Sequence, residues 1–281
     1  MVTGATRLVG IIGNPVAHSL SPAIHNAAFQ SLDLDWLYVP LPVEPDNLEK
    51  AIRGLSALGF QGANITVPYK EKVIPFLDCA SFDVSEIGAV NTIMIQPGGG
   101  LTGENADWSG FLNHLREIGF DPSGRTAVIL GSGGSARAVA YALATTGAKV
   151  IVCSRNAETS AALVDRLSNH CSKEPPETWP LRKLGQLRGD VDLIVNTTPV
   201  GMVPHISSSP WPEETRFPNC RLVYDLVYNP SRTRFIEQAL DAGIKATNGL
   251  GMLIHQAAIG FSLWTGKPAP LDVMKQAIAL C

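Results

Sequence analysis

Apolar residues in this chain come in two rhythms, short unbroken runs and longer stretches with a helical repeat, and the two alternate. Residues 8–12 (Leu-Val-Gly-Ile-Ile) predict a short buried strand ending at Gly13-Asn14-Pro15. Over 22–32, Ile24, Ala27 and Ala28 recur at helical spacing, with Ser21 as the N-cap and Pro22 at the first helical position. Residues 36–41 predict a second strand, 47–58 a helix closed by Gly59, and 60–67 a third strand stopped by Pro68. A strand over 91–95 leads into the turn Pro97-Gly98-Gly99-Gly100. From Ser109 the pattern restarts with a helix to about 118, a strand over 126–130, a helix from Arg137 to Leu143 and a strand over 149–154. Residues 192–196 and 222–226 are further strands, and 250–264 and 271–280 are helices. The stretches 168–180 and 203–218 lose periodicity, gather proline and polar residues, and read as loops. Such alternation predicts an α/β fold of two domains joined near Asp107, residues 1–107 completed by 250–281, and residues 108–249.

Composition narrows the class. The 281 residues are 45% hydrophobic and 17% charged, as in ordinary globular proteins. The formal charge is −3, from 22 basic and 25 acidic residues with no basic stripe or acidic tail, so neither nucleic acid nor a membrane surface is an expected partner. Cys79, Cys153, Cys171, Cys220 and Cys281 are odd in number and scattered without a CxxC pair, which argues against a disulfide framework or structural zinc. There is no signal-peptide pattern at the start and no apolar run long enough for a membrane span, so a cytoplasmic location is expected. Both monomer and homodimer fit this composition.

The most telling stretch is Thr126-Ala-Val-Ile-Leu-Gly-Ser-Gly-Gly-Ser-Ala-Arg137. An apolar run ends at Gly131, the pattern Gly131-x-Gly133-x-x-Ala136 follows, and a helix-forming run begins at once. Gly131 permits the tight turn, Gly133 lets a backbone approach a pyrophosphate, and Ala136 allows helix to pack closely on strand. A diphosphate would then sit at the helix N-terminus, where free N–H groups favour an anion.

Polar groups gather elsewhere at element ends. His18-Ser19-Leu20-Ser21-Pro22 places two hydroxyls at a helix start. Asn64-Ile65-Thr66-Val67-Pro68-Tyr69-Lys70 lies at a strand end, where ligands of open parallel sheets bind, and Asn64 and Thr66 are two apart and so share a strand face. Asn91-Thr92, Asn105-Ala106-Asp107, Asp225-Leu-Val-Tyr-Asn-Pro230 and Asn248-Gly-Leu-Gly-Met-Leu-Ile-His-Gln256 add further polar groups. An amide, a hydroxyl and an ammonium together suit a small hydroxylated or carboxylated molecule.

Taken together, and in this order over nearly the whole chain, these motifs resemble the shikimate dehydrogenase family. The resemblance implies an N-terminal α/β substrate domain with a mostly parallel sheet and a Rossmann-like NADP-binding domain, facing across a cleft. It implies reversible NADP-linked oxidation of shikimate to 3-dehydroshikimate, a step of aromatic amino-acid biosynthesis. By the same resemblance Ser19 and Ser21 hold the substrate carboxylate, Asn64 and Thr66 contact ring hydroxyls, and Asn91, Tyr228 and Gln256 are further substrate contacts. Lys70 and Asp107 match the pair acting at the reacting hydroxyl, which both would also bind. Oxidising an alcohol requires a proton to leave oxygen as hydride leaves carbon. For a lysine beside a carboxylate, desolvation and the neighbouring charge act in opposite directions.

The cofactor loop is Gly131, Ser132, Gly133, Gly134, Ser135 and Ala136, followed by Ser154, Arg155 and Asn156 after the next strand. That strand ends without the carboxylate that binds a ribose 2′-hydroxyl, and Arg155 is placed for a 2′-phosphate, so NADP is predicted over NAD. Thr198, Leu226, Gly249 and Met252 match the family's nicotinamide-lining positions. Two departures stand out: Thr159, beside Glu158, replaces a frequent second basic residue, and Ala106 replaces the usual threonine before Asp107. A quinate/shikimate enzyme using NAD or NADP, and a catalytically silent NADP-binding regulatory paralogue, are the competing readings. His18, His25 and His255 lack metal-ligand spacing, so no metal is expected. Cys153 and Trp264 read as packing residues.

Overall fold

The computed structural model describes residues 2–170, 174–187, 190–213 and 215–279. They form two compact units, Met1–Gly110 with Leu253–Cys281, and Phe111–Met252.

In the first unit the order is β1 (Arg7–Gly13), α1 (Ser21–Ser31), β2 (Trp36–Pro42), α2 (Leu48–Ala57), β3 (Phe60–Ile65), β4 (Cys79–Ala80), α3 (Phe82–Ile87), β5 (Thr92–Ile95) and β6 (Leu101–Glu104). Helix α4 (Asp107–Glu117) begins here and ends in the second unit. The sheet order is β2-β1-β3-β5-β6-β4. Its pairs are parallel except those of β5, which runs antiparallel to β3 and β6, so the sheet is largely parallel with one reversed strand. The glycine turn at 97–100 makes this reversal possible by folding β5 and β6 into a hairpin.

The central strand β1 shows why its run is apolar throughout: both faces are covered. Val9 and Ile11 pack with Ile24, Ala28 and Phe29 of α1 and with C-terminal residues such as Phe261 and Met274. Ile12, of opposite parity, packs with Ile52 and Leu55 of α2.

The second unit runs β7 (Thr126–Leu130), α5 (Gly134–Thr145), β8 (Lys149–Ser154), α6 (Ala157–Leu167), β9 (Glu177–Pro180), β10 (Leu193–Asn196), β11 (Leu222–Asp225), α7 (Arg234–Asp241) and β12 (Lys245–Thr247). All its strand pairs are parallel, in the order β12-β11-β10-β7-β8-β9. This is the doubly wound dinucleotide-binding order, in which the chain reverses its direction of travel between β7 and β10. Val128, Leu130, Ile151, Cys153, Ile194 and Val223 share a core with Phe235 and Ala239 of α7. Burial pushes the Cys153 thiol up to about 12, so it stays protonated. Helix α8 (Leu250–Thr265) starts in this unit and ends in the first, where α9 (Leu271–Ala279) follows and packs on α1.

Several expectations need correction. Ser21 is the first helical residue rather than the cap: Leu20 holds the cap position, and its side chain makes no capping hydrogen bond. The third strand stops at Ile65, short of 67, because the chain turns there and the Tyr69 amide donates to the Thr66 carbonyl. Thr66 therefore lies beyond the strand and does not share a strand face with Asn64. The helix expected from Ser109 begins at Asp107. Within 168–180 the structure forms β9, paired along the edge of β8. Its residues are mostly exposed, so it carries no apolar signature, and residues 171–173 lie outside the described set. In 203–218 Trp211 is buried and stacked on Phe217 at 4.7 Å, which anchors an otherwise irregular stretch. Position 214 there, Cys171, Cys281 and position 280 of the last helix lie outside the described residues.

Candidate active site

In the first unit, three backbone features deliver a lysine and an aspartate to one place. The turn after β3 is anchored by buried Tyr69, whose hydroxyl donates to the Val43 carbonyl, and the Val90 amide donates to the Lys70 carbonyl at 2.7 Å. Asn105 receives the Asp107 amide on Oδ1 at 3.0 Å and donates through Nδ2 to the Ala89 carbonyl at 2.8 Å, fixing the start of α4. Asp107 is then the first residue of that helix, where the dipole favours a negative charge. Lys70 Nζ donates to Asp107 Oδ2 at 2.7 Å, with the side chains only 13% and 6% exposed. The other carboxylate oxygen, Oδ1, accepts from Asn91 Nδ2 at 2.9 Å. A charge pair so far out of water requires this partnering, since either ion alone would carry a large desolvation cost.

Around the pair lie other expected residues. Asn91 Nδ2 also donates to Gln256 Oε1 at 3.2 Å, and Gln256 Nε2 donates to the Leu253 carbonyl at 2.8 Å. Asn64, buried at the end of β3, donates through Nδ2 to the Asn91 carbonyl at 3.0 Å. Thus Asn64, Lys70, Asn91, Asp107 and Gln256 form one network. Ser19 and Ser21 sit together at the start of α1, the Ser21 amide donating to Ser19 Oγ at 3.3 Å. Thr66 is half-buried and packs so tightly against Gly13 that a Cβ there would overlap its methyl group. Tyr228 belongs to the second unit and is half-buried there. Ala106, at the position where the family usually has threonine, joins the network through its amide, which donates to Asn91 Oδ1 at 2.7 Å. The sequence reading missed Tyr38 and left Thr92 unassigned: the Tyr38 hydroxyl donates to Asn64 Oδ1 at 2.7 Å, and Thr92 links Asn64 with Asn91. The Asn91-Thr92 pairing was a usable signal; nothing along β2 marked Tyr38.

The second unit brings the glycine turn to the point where its sheet reverses winding. Gly131 follows β7 with φ +120°, a region closed to other residues, and a Cβ there would lie 2.5 Å from Thr197 Oγ1 and 3.1 Å from the Thr198 methyl. Gly133 differs: its backbone is extended, and a Cβ would meet nothing within 4 Å. Gly133 holds the N-cap position of α5, where the positive end of the helix dipole lies. Ala136 is fully buried against the sheet. Ser132 Oγ and Thr159 Oγ1 are 2.7 Å apart, tying the glycine loop to the start of α6. Ser154 bonds Ser160, while Asn156 caps α6 by accepting the amides of Glu158 and Thr159. Arg155 is exposed, and among the described residues no hydrogen bond or ion pair engages its guanidinium. Gly249 packs against Leu226 so closely that a Cβ would overlap the Leu226 carbonyl. Met252 is buried nearby in the chain, after the start of α8. Gly134 and Ser135 open α5 itself.

Below this surface Asp225 is fully buried and accepts from Asn196 Nδ2 at 2.8 Å, the Val227 amide at 3.0 Å and Thr233 Oγ1 at 2.6 Å. Burial nonetheless pushes its carboxyl up to about 6. No helix among the described residues is long and apolar enough to cross a membrane, and no cluster of three or more potential metal ligands occurs among them.

A parallel doubly wound sheet with an open glycine turn at its switch point, and in a second α/β unit a buried lysine–carboxylate pair, define the class of dinucleotide-dependent dehydrogenases. Comparison with known proteins narrows this. Residues 11–93 match the shikimate dehydrogenase substrate binding domain, and residues 249–279 match the shikimate 5′-dehydrogenase C-terminal domain. The shikimate dehydrogenase (NADP(+)) of Desulforamulus reducens is 44% identical over 99% of this chain and 96% of its own length. That of Moorella thermoacetica is 45% identical over 99% and 94%. A crystal structure of shikimate 5-dehydrogenase from Thermus thermophilus, in complex with NADP(H) and shikimate, is 37% identical with a TM-score of 0.86, covering 98% of this chain and 99% of that one. The chain belongs to the shikimate dehydrogenase family.

Proposed function

We propose that this chain oxidises shikimate reversibly to 3-dehydroshikimate with NADP, the first unit holding the substrate and the second the dinucleotide. The observation that carries the reading is the buried Lys70–Asp107 pair, 2.7 Å apart at the end of the first sheet. NADP supplies the nicotinamide ring that takes the hydride and its two electrons from the carbinol carbon. Lys70 Nζ, in its amine form, accepts the proton leaving the hydroxyl, and as the ammonium returns it to the carbonyl oxygen in the reverse direction. Asp107 Oδ2 holds Nζ in place, and Asn91 on Oδ1 fixes the plane of the carboxylate. Asn64 and Thr66 contact ring hydroxyls, Ser19 and Ser21 take the carboxylate, and Tyr228 and Gln256 add contacts; these roles rest on the family resemblance.

The second unit fits the dinucleotide on its own geometry. The space beside Gly133 suits a pyrophosphate at the N-terminus of α5. Arg155, with no carboxylate beside it at the strand end, suits the 2′-phosphate. Thr198, Leu226, Gly249 and Met252 line the nicotinamide.

Initial rates of nicotinamide reduction with shikimate and with quinate, each with NADP and NAD, test the reading. Strong turnover with shikimate and NADP alone is expected. Comparable rates with quinate or NAD would reassign it to the broader quinate/shikimate activity. Absence of turnover from folded, NADP-binding protein would leave a silent paralogue.

A further inference from the structure

The hydrogen bonds around the lysine–aspartate pair have a determinate direction. The Ala106 amide can only donate, so the Asn91 atom facing it at 2.7 Å is Oδ1, and Nδ2 must face Asp107 and Gln256. The Asn91 carbonyl can only accept, so the Asn64 atom facing it at 3.0 Å is Nδ2, and Asn64 Oδ1 faces the Tyr38 hydroxyl. Between these two amides sits the Thr92 hydroxyl, fully buried. It accepts from Asn64 Nδ2 at 3.1 Å and donates to Asn91 Oδ1 at 3.0 Å. Only a group that both accepts and donates satisfies that position. The bonds therefore run in one sense from Tyr38 through Asn64, Thr92 and Asn91 to Asp107. The Tyr38 ring is itself held by a parallel stack on His25 at 4.4 Å.

Asn91 gives both amide hydrogens, to Asp107 and Gln256, and receives two bonds on Oδ1. Its amide orients the carboxylate, and what orients the amide is Thr92 together with the Ala106 backbone.

We propose that Thr92 is a positioning residue for the reaction: its hydroxyl sets the sense of the Asn64 and Asn91 amides, and through Asn91 the placement of the Asp107 carboxylate against Lys70. The proposal deepens the dehydrogenase reading above and rests on it for its kinetic test.

Thr92→Val keeps the shape and removes the hydroxyl; Thr92→Ser keeps the hydroxyl. With shikimate and NADP, Thr92→Val should lower kcat by about 10- to 100-fold, the scale of a misplaced catalytic group. KM for NADP should stay within about 2-fold, and the primary isotope effect on kcat, with deuterium at the carbon being oxidised, should rise as chemistry becomes limiting. Thr92→Ser should recover kcat to within about 3-fold of wild type. A merely structural role would reduce the active fraction without moving the isotope effect. The idea is overturned if Thr92→Val keeps wild-type kcat and isotope effect, or if serine fails to restore them. Should the wild type turn over neither shikimate nor quinate, the functional reading fails separately. The crystal structure of Thr92→Val then decides: an unmoved Asn91 amide and Asp107 carboxylate would refute the positioning role, and a turned amide would sustain it.

Discussion

His25 makes the first unit sensitive to acid, by an amount that follows from its surroundings. The ring is fully buried, stacked on Tyr38 and 5.4 Å from the Trp264 ring, and among the described residues neither ring nitrogen has a hydrogen-bond partner. Burial alone lowers its pKa from 6.5 to about 3. In the unfolded chain the imidazole titrates near its ordinary value, so below that value the unfolded state binds a proton that the fold refuses. Because the folded pKa is depressed, the neutral ring's contribution to stability is complete above about pH 6.5 and is lost as pH falls toward 3. Between about pH 8 and pH 5 the linkage amounts to about 2 kcal/mol. His25→Phe keeps an aromatic ring on Tyr38 and removes the titration. Any overpacking cost of the larger ring, about 1–3 kcal/mol, is the same at both pH values and cancels in the difference. Urea unfolding followed by tryptophan fluorescence and circular dichroism supplies the four free energies. Wild type should lose about 2 kcal/mol more than His25→Phe on going to about pH 5. Equal losses, to within about 0.5 kcal/mol, would show that the ring reaches a partner or water in solution, and the reasoning would fail.

Asp225 acts with the opposite sign. Its folded pKa is raised to about 6 from 3.8, so its contribution is full below about pH 3.8 and is lost as pH rises through 6. Asp225→Asn, with the Thr233 hydroxyl turned to donate elsewhere or accept, should remove a loss of about 2 kcal/mol between about pH 4.5 and 7.5, measured by the same unfolding curves. At the glycine turn two alanines should part company. Gly131→Ala forces φ +120° on a Cβ-bearing residue against Thr197 and should cost about 1–3 kcal/mol in thermal unfolding. Gly133→Ala meets no neighbour, so its stability should match or slightly exceed wild type while NADP affinity, by fluorescence titration, falls at least about 10-fold; unchanged affinity would remove the pyrophosphate from that position. Arg155→Ala should cost about 1.5–3 kcal/mol of NADP binding and leave NAD nearly untouched, compared as kcat/KM for the two cofactors. Lys70→Ala should lower kcat by about 100-fold or more, with NADP binding retained in a titration.

The α/β class, the central strands and the glycine turn were legible in the sequence because each rests on local rules. A stretch of strand covered on both faces must be free of polar side chains, as 9–12 in β1, 127–130 in β7 and 193–195 in β10 are. A sharp turn from strand into helix at a positive φ must carry glycine, as at 131. Motifs likewise marked Lys70 and Asp107 one by one. What the linear pattern lacked was everything set by neighbours far along the chain. The edge strand β9 is mostly exposed and carries no apolar run, because its pairing comes from the β8 backbone, which is independent of side-chain type. Ser21 looked like a cap because capping residues and first-turn residues share a chemistry, and backbone angles alone separate them. The 2.7 Å approach of Lys70 to Asp107 depends on the turn after β3 meeting the start of α4. Thr92 has a function only because β3 and β5 pair antiparallel, bringing Asn64 opposite it. Residue type and spacing determined which chemistry this chain could carry; the direction and placement of its hydrogen bonds, which depend on long-range backbone pairing, were decided by the tertiary structure.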